Sequence, residues 1–361
     1  MKKKIIFAIN HFEYSNGVST ALRSIIQNLN PEKYDIHLLP FYKFDKEFAS
    51  PIMDKVTVEK GFGFYFRGFD KIINLVPAVL LYKLFVKDRY DLEISFQFGI
   101  PTRCFASSTN SNKICWMHTY DAKMVQGKYY KKYNEMITVA KIGRDKMLQA
   151  GFDNCDYCYN IIDEDVINKK ALEGLLIQKK HKFAVVTVAR MMPDKAYMRY
   201  VKCLASVLKE KKIDFEFWLI GGGSEESKVV EYIKQNCLED QVLVLGKQNN
   251  PYKYMHKADL YFCVSYREGF STACQEAALL GLPIISVNVD GAEEVVEEAG
   301  CGLVVGNSEL GIVTALDYIS ENEMVIYDWR CKAEKSKTKF YKDCRIKKIE
   351  KILDENLSNY D

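Results

Sequence analysis

The sequence predicts an α/β protein of two domains built on parallel sheets. Its 361 residues can fill two ordinary domains, each with a sizeable core. Short apolar runs alternate with stretches of helical character, as buried strands joined by crossovers do. A polar stretch rich in Lys, Glu and Asp, 163–182, divides the runs into two sets. The domains are expected at 1–165 and 183–326, with a linker at 166–182 and a C-terminal helical segment at 327–361.

Lys4–Asn10 is expected as the first strand, central because it is nearly all apolar. The loop HFEYSNGVS (His11–Ser19) leads to a helix over Thr20–Leu29, with Asn16-Gly17 marking a tight turn. His37–Pro40, Asp91–Phe96, Lys113–Met117 and Ile137–Val139 read as further strands, and Lys141–Ala150 as a helix. Cys158–Ile162 precedes Asp163, which is expected to cap an exposed helix.

The second set opens with Phe183–Ala189, then a turn with Pro193 between Arg190 and Lys195. Phe215–Ile220 runs into Gly221-Gly222-Gly223-Ser224, and Val242–Leu245 into Gly246-Lys247. Leu260–Val264 and Ile284–Val289 enclose REGFSTACQEAALLGLP (Arg267–Pro283). Thr272 and Gln275 have capping-box spacing there, placing a helix start near Ala273, with Gly281 and Pro283 as the stop. That unit is strand–loop–helix–strand with a parallel crossover.

Composition excludes several classes. A net charge of +3 is too small to imply nucleic-acid binding. Eleven cysteines without framework spacing read as reduced thiols of a cytoplasmic protein. Cys155-x-x-Cys158 lacks a second pair or a nearby His, so no metal site is expected. MKKKIIFAIN reads as a strand, not a signal peptide, and no window is long and apolar enough to span a bilayer. A G-x-G-x-x-G fingerprint is absent, which disfavours a dinucleotide-dependent oxidoreductase.

The segment Phe62–Val86 mixes aromatic and aliphatic residues with Arg67, Lys71 and Lys83, followed by Lys87. Two readings stand: an amphipathic surface lying on an anionic membrane, or a core helix whose lysines reach water.

The chemistry concentrates in Arg267–Pro283. Glu268 precedes the helix, Gly269 permits close backbone approach, and the N–H groups of Phe270, Ser271, Thr272 and Ala273 favour an anion. Glu276 lies about one turn inside the helix. Taken alone, two such acids are more often the solvated acids of a capped helix. Two carboxylates bracketing an anion cradle also suit a ligand with a phosphate centre and hydroxyl-bearing ends, as a nucleotide sugar has. Arg190 and Lys195 flank a turn at a strand's C-terminal end, where two cations can neutralise a diphosphate. His118 likewise ends a strand where open α/β sheets bind ligands.

The string EGFSTACQEA followed by GLPII resembles the signature of the retaining nucleotide-sugar glycosyltransferases of family 4, the group 1 transferases. The resemblance is specific over Val185–Val305 and extends in layout to most of the chain. It implies two Rossmann-like domains facing across a cleft, the GT-B architecture, with a C-terminal helix crossing back to the first domain. It implies that the second domain binds the donor and the first the acceptor. By resemblance Glu268 contacts the donor sugar and Glu276 the ribose. Arg190 and Lys195 form the diphosphate clamp, and His118 bonds the sugar near the reacting centre. Gly17, Gly222 and Lys247 line the donor. Where the family has Gly-Leu after the Phe, this chain has Ser271-Thr272.

The implied activity is metal-independent transfer of a hexosyl or N-acetylhexosaminyl group, with retention, to a saccharide or lipid-linked acceptor. Surface polysaccharide or glycolipid synthesis at the inner face of the cell membrane is the implied setting, and no cofactor is implied. A sugar-nucleotide epimerase of the same fold and a non-catalytic nucleotide-sugar-binding subunit stay open as rivals.

Overall fold

The computed structural model describes residues 2–14, 17–118, 127–174 and 177–358. The chain divides into two compact units, Met1–Ile161 with Lys342–Asp361, and Ile162–Tyr341.

The first unit holds a seven-stranded sheet. Its strands are β1 (Lys3–Phe12), β2 (Tyr34–Phe44), β3 (Val56–Val58), β4 (Leu92–Ser95), β5 (Lys113–Met117), β6 (Glu135–Thr138) and β7 (Cys155–Tyr157). They lie in the order β3-β2-β1-β4-β5-β6-β7 and all pair in parallel. Ile5, Ile6, Phe7, Ala8 and Ile9 have no exposed surface, because β1 is covered on both faces. β2 outruns the expected His37–Pro40, since Phe41 and Tyr42 continue the buried run. β7 ends at Tyr157, and the Cys158 N–H closes a bond to Thr138 O at 2.7 Å. The helix Lys342–Ser358 belongs to this unit, where Tyr34 donates to Asp354 Oδ1 at 2.7 Å and Asn356 reaches Glu135.

The second unit holds six parallel strands. These are β8 (Phe183–Val188), β9 (Phe215–Ile220), β10 (Val242–Gly246), β11 (Leu260–Cys263), β12 (Ile284–Val287) and β13 (Gly302–Val305). Their order, β10-β9-β8-β11-β12-β13, is the Rossmann order. The winding reverses between β8 and β11, so a ligand crevice is expected at the C-terminal ends of those two strands.

The stretch expected as a linker begins with a helix, Glu164–Ala171, inside the second unit. Asp163 caps it, accepting from the N–H groups of Asp165 and Val166 at 3.1 and 3.2 Å. Acids in its first turn and lysines in its last match the helix dipole, and this charge pattern mimics a polar linker. The C-terminal segment is also split: the helix Met324–Ser336 packs in the second unit, burying Trp329 and Ala333.

Candidate functional site

In the second unit, the loops leaving β8 and β11 meet at the point where the winding reverses. Tyr197 anchors the first loop. Its buried hydroxyl donates to Ile220 O at 2.8 Å and accepts from the Ala189 N–H at 2.9 Å. A single turn, Pro193–Lys195, follows, and Ala196 bends the chain into the next helix at φ +58°. That left-handed conformation costs a residue with a Cβ on the order of 1–3 kcal/mol, and the surrounding contacts hold it.

Lys195 Nζ lies 2.8 Å from Glu268 Oε1, with side chains 15% and 16% exposed. The same oxygen accepts from Ser265 Oγ at 2.7 Å. A backbone bond from the Tyr266 N–H to Asp194 O at 2.9 Å ties the two loops together. Buried Arg199 supports the second loop, donating to Val264 O at 2.6 Å and lying 4.1 Å from the Tyr266 ring centre. Arg190 is exposed on the first loop and makes no ion pair among the described residues.

The glycine turn after β9 presses onto the same loop. A Cβ on Gly221 would lie 1.7 Å from Ala189 O, so only glycine fits. The Met191 N–H donates to Gly222 O at 3.0 Å. A Cβ on Gly222 would come within 3.2 Å of Lys247 Cβ, which places Lys247 beside this turn. The ends of β8, β9 and β10 therefore converge on one edge of the sheet.

The helix Thr272–Leu279 starts behind Glu268 and half-buried Gly269. Its cap is Ser271, which accepts from the Cys274 N–H at 3.3 Å. The expected Thr272–Gln275 capping box is not formed, and the Gln275 amide donates to Ser271 O at 3.4 Å. The reason lies one residue back. Phe270 is buried with its ring against Gly291, where a Cβ would sit 2.3 Å from the ring. That docking makes Ser271 the last extended residue. Thr272 is exposed at the first helical position, and its N–H and that of Ala273 find no acceptor among the described residues.

Glu276, further along this helix, accepts a bond from Tyr252 Oη at 3.1 Å. Lys170 Nζ lies 5.9 Å from the Tyr252 ring centre. Burial pushes the Glu276 carboxyl up to about 7, against the opposing effects of Tyr252 and Lys170. Neither Tyr252 nor Lys170 stands out in the sequence, since the first opens a short helix and the second sits in the apparent linker.

In the first unit, His118 follows β5 with its ring against Phe96, centroids 4.7 Å apart. Its Nε2 is buried without a partner among the described residues, and burial pushes the ring's pKa down to about 3. The imidazole is therefore neutral at pH 7. Gly17 is the exposed first residue of the helix Gly17–Asn28, and a Cβ there would meet nothing within 4 Å. Asn16, the other half of the expected turn, lies outside the described residues.

The segment Phe62–Val86 folds as two short helices, Phe69–Ile73 and Ala78–Phe85. Phe69, Ile73, Leu81 and Phe85 turn inward. Phe64, Phe66, Ile72, Leu75, Val79, Leu80 and Leu84 are each half or more exposed. Arg67, Lys71, Lys83 and Lys87 are exposed among them. Among the described residues, no helix is long and apolar enough to cross a membrane, and no three His, Cys, Asp or Glu residues gather as metal ligands.

Residues 170–337 match the family model described as glycosyl transferases group 1. The match covers the second unit almost entirely and just under half of the chain. A Campylobacter jejuni relative is the N-acetylgalactosamine-N,N'-diacetylbacillosaminyl-diphospho-undecaprenol 4-alpha-N-acetylgalactosaminyltransferase. It is 29% identical over 47% of this chain and 42% of its own length. The chain spans about half the length of the curated relatives it matches.

Among solved structures, a glycosyltransferase from Rickettsia africae ESF-5 superimposes with a TM-score of 0.76 at 15% identity, covering 99% of both chains. Anabaena HepE, solved in complex with UDP and glucose, gives 0.73 at 17% identity over 98% of this chain and 100% of its own. The fold is thus that of the GT-B glycosyltransferases, with two Rossmann-like domains.

Proposed function

We propose that the protein transfers a sugar from a nucleoside-diphosphate sugar to a hydroxyl acceptor, with retention at the anomeric carbon. The observation that carries this is the Lys195–Glu268 pair at the winding reversal of a Rossmann sheet, inside the stretch that matches the group 1 family. The barrier to transfer lies in breaking the anomeric C–O bond while charge builds on the departing phosphate. Arg190, Lys195 and the unbonded amides at the start of Thr272–Leu279 would stabilise that charge. Cations of this kind replace a divalent metal in the reading. Glu268 would accept a hydrogen bond from the sugar, and Glu276 from the ribose. Gly222 and Lys247 would border the nucleotide.

In this reading the first unit binds the acceptor and supplies His118 and the Gly17 loop. A neutral His118 can donate a hydrogen bond to a sugar hydroxyl without adding charge. Support for a lipid-linked acceptor comes from the Campylobacter relative, whose name specifies a diphospho-undecaprenol substrate. The exposed apolar and basic face of Phe62–Val86 fits the same picture. Arg67, Lys71, Lys83 and Lys87 would meet anionic headgroups while Ile72, Leu75 and Leu80 enter the interface. The protein would then work at the cytoplasmic face of the cell membrane.

Titration with a panel of UDP- and GDP-sugars, followed by product analysis with and without acceptor, tests the reading. Binding of one donor and an α-linked product from an α-linked donor are the expected results. An isomerised sugar nucleotide formed from donor alone would make the protein an epimerase. Donor binding with no turnover on any acceptor would make it a binding subunit.

A further inference from the structure

We propose that Tyr252 and Lys170 are positioning residues for Glu276: Tyr252 holds one carboxylate oxygen and Lys170 backs the Tyr252 ring, so that the other oxygen is presented to the donor. The inference rests on the reading of Glu276 as a donor ligand and adds two residues that the motif does not contain.

The three side chains form a short stack from three helices. Tyr252 opens the helix Tyr252–Lys257, and its hydroxyl donates to Glu276 Oε1 at 3.1 Å. Glu276 Oε2 has no hydrogen bond among the described residues, so it is the atom left for a hydroxyl of the ligand. Lys170 comes from Glu164–Ala171, with its ammonium 5.9 Å from the Tyr252 ring centre. Asn250 fixes that helix end, donating to Lys170 O and to Glu173 Oε2, both at 2.8 Å. The Asn250 Oδ1 also accepts from the Tyr252 N–H at 3.1 Å, so one side chain docks both supports.

The supports matter because Glu276 is balanced. Burial favours the neutral acid, while the Tyr252 hydrogen bond and the Lys170 charge favour the carboxylate. With its pKa brought to about 7, the group is close to half ionised at neutral pH. A carboxylate accepts a bond from a ribose hydroxyl without offering a competing proton. Removing either support tips the balance toward the acid, so donor binding should weaken near neutrality and recover in alkali.

The test uses the full chain with UDP and GDP as probes, titrated from pH 6 to 8.5 against wild type, Tyr252→Phe, Lys170→Met and Glu276→Gln. Tyr252→Phe keeps the ring and the packing and deletes only the hydroxyl. A one-unit rise in the Glu276 pKa corresponds to about fivefold weaker binding at pH 7 and less than about twofold at pH 8.5. Both support variants are expected to show this pH-dependent deficit relative to wild type. Glu276→Gln is expected to bind weakly throughout, without the rise near pH 7. A Tyr252→Phe deficit that is absent, or equal at every pH, overturns the positioning role even when Glu276→Gln binds weakly. Glu276→Gln matching wild type, or wild type binding neither nucleotide, removes the donor reading itself and the inference with it.

Discussion

The ammonium of Lys195 sits 2.8 Å from a Glu268 oxygen, joining the loops that leave two neighbouring strands, β8 and β11. Seventy-three residues separate the partners along the chain. In this structure the cation's charge is paired with the acid. A diphosphate would draw the ammonium toward itself and free the carboxylate for a sugar hydroxyl. Lys195→Ala should therefore lower turnover by about 10²–10³-fold. It also leaves Glu268 largely buried with one neutral partner, and should destabilise the fold by about 1–3 kcal/mol. Initial rates and urea midpoints check both. Turnover within tenfold of wild type would take Lys195 out of the charge-stabilising role.

Arg190 is the contrasting case. It is exposed and makes no ion pair among the described residues, so the fold does not lean on it. Arg190→Ala should cut turnover by about 10²-fold or more while leaving the melting temperature unchanged. A matching loss of stability and activity would mark Arg190 as structural instead.

Glu276 gives a pH-dependent stability with a definite sign. Its folded pKa is raised from 4.5 to about 7 by burial. The folded chain then binds more protons at this group than the unfolded chain across that window. The contribution is fully present below about pH 4.5 and is lost as pH rises through 7. Glu276→Gln removes it, so the variant should gain on wild type by roughly 1–3 kcal/mol between pH 4.5 and 8. Denaturant melts at the two pH values measure the difference. Parallel behaviour of the two proteins would mean that Glu276 is not held in a desolvated position.

What could be read from the residues follows burial. β1, β5, β8 and β9 are covered on both faces, so their apolar runs announce them. β3 and β13 are short and only half-buried, and they carry no comparable run. The helix Glu164–Ala171 looked like a linker because few of its residues turn inward, Ile167 and Ala171 among them.

The site shows the same division. Glu268, Glu276, Arg190 and Lys195 are visible as residues with fixed spacing from strand ends. The contact between Lys195 and Glu268 is not, because it depends on β8 and β11 being neighbours. Two adjacent hydroxyl residues could each have capped the helix after Glu268. The docking of Phe270 on Gly291 chose Ser271, and that contact spans too much sequence for a local pattern to reveal.

His118 should leave a different mark from Glu276. Burial lowers its pKa from 6.5 to about 3, so the unfolded chain binds more protons at this group between those values. The contribution is present above about pH 6.5 and lost as pH falls toward 3. His118→Gln should weaken the acid sensitivity of unfolding and lower turnover. It should leave any activity limb near pH 7 in place, because burial raises Glu276, and not His118, toward that range. A limb near pH 7 that disappears in His118→Gln would instead assign the titration to the imidazole.

The outer face of Phe62–Val86 exposes Ile72, Leu75, Val79, Leu80 and Leu84 beside Lys71, Lys83 and Lys87. The opposite face is anchored by Phe69, Ile73, Leu81 and Phe85, so the exposed residues can be changed without emptying the core. Two forces would act on an anionic bilayer, each with its own variant. Lys71→Glu with Lys83→Glu removes attraction worth about 1 kcal/mol per cation near the surface, and reverses its sign. Leu75→Ser with Leu80→Ser removes apolar area worth about 25 cal/mol per Å². Co-sedimentation with vesicles of phosphatidylglycerol and phosphatidylethanolamine should fall at least about tenfold for each pair. Salt should release wild type, and should have less effect on what binding the Lys pair variant retains. Wild type that stays in the supernatant at low salt would show that this face does not bind anionic lipid.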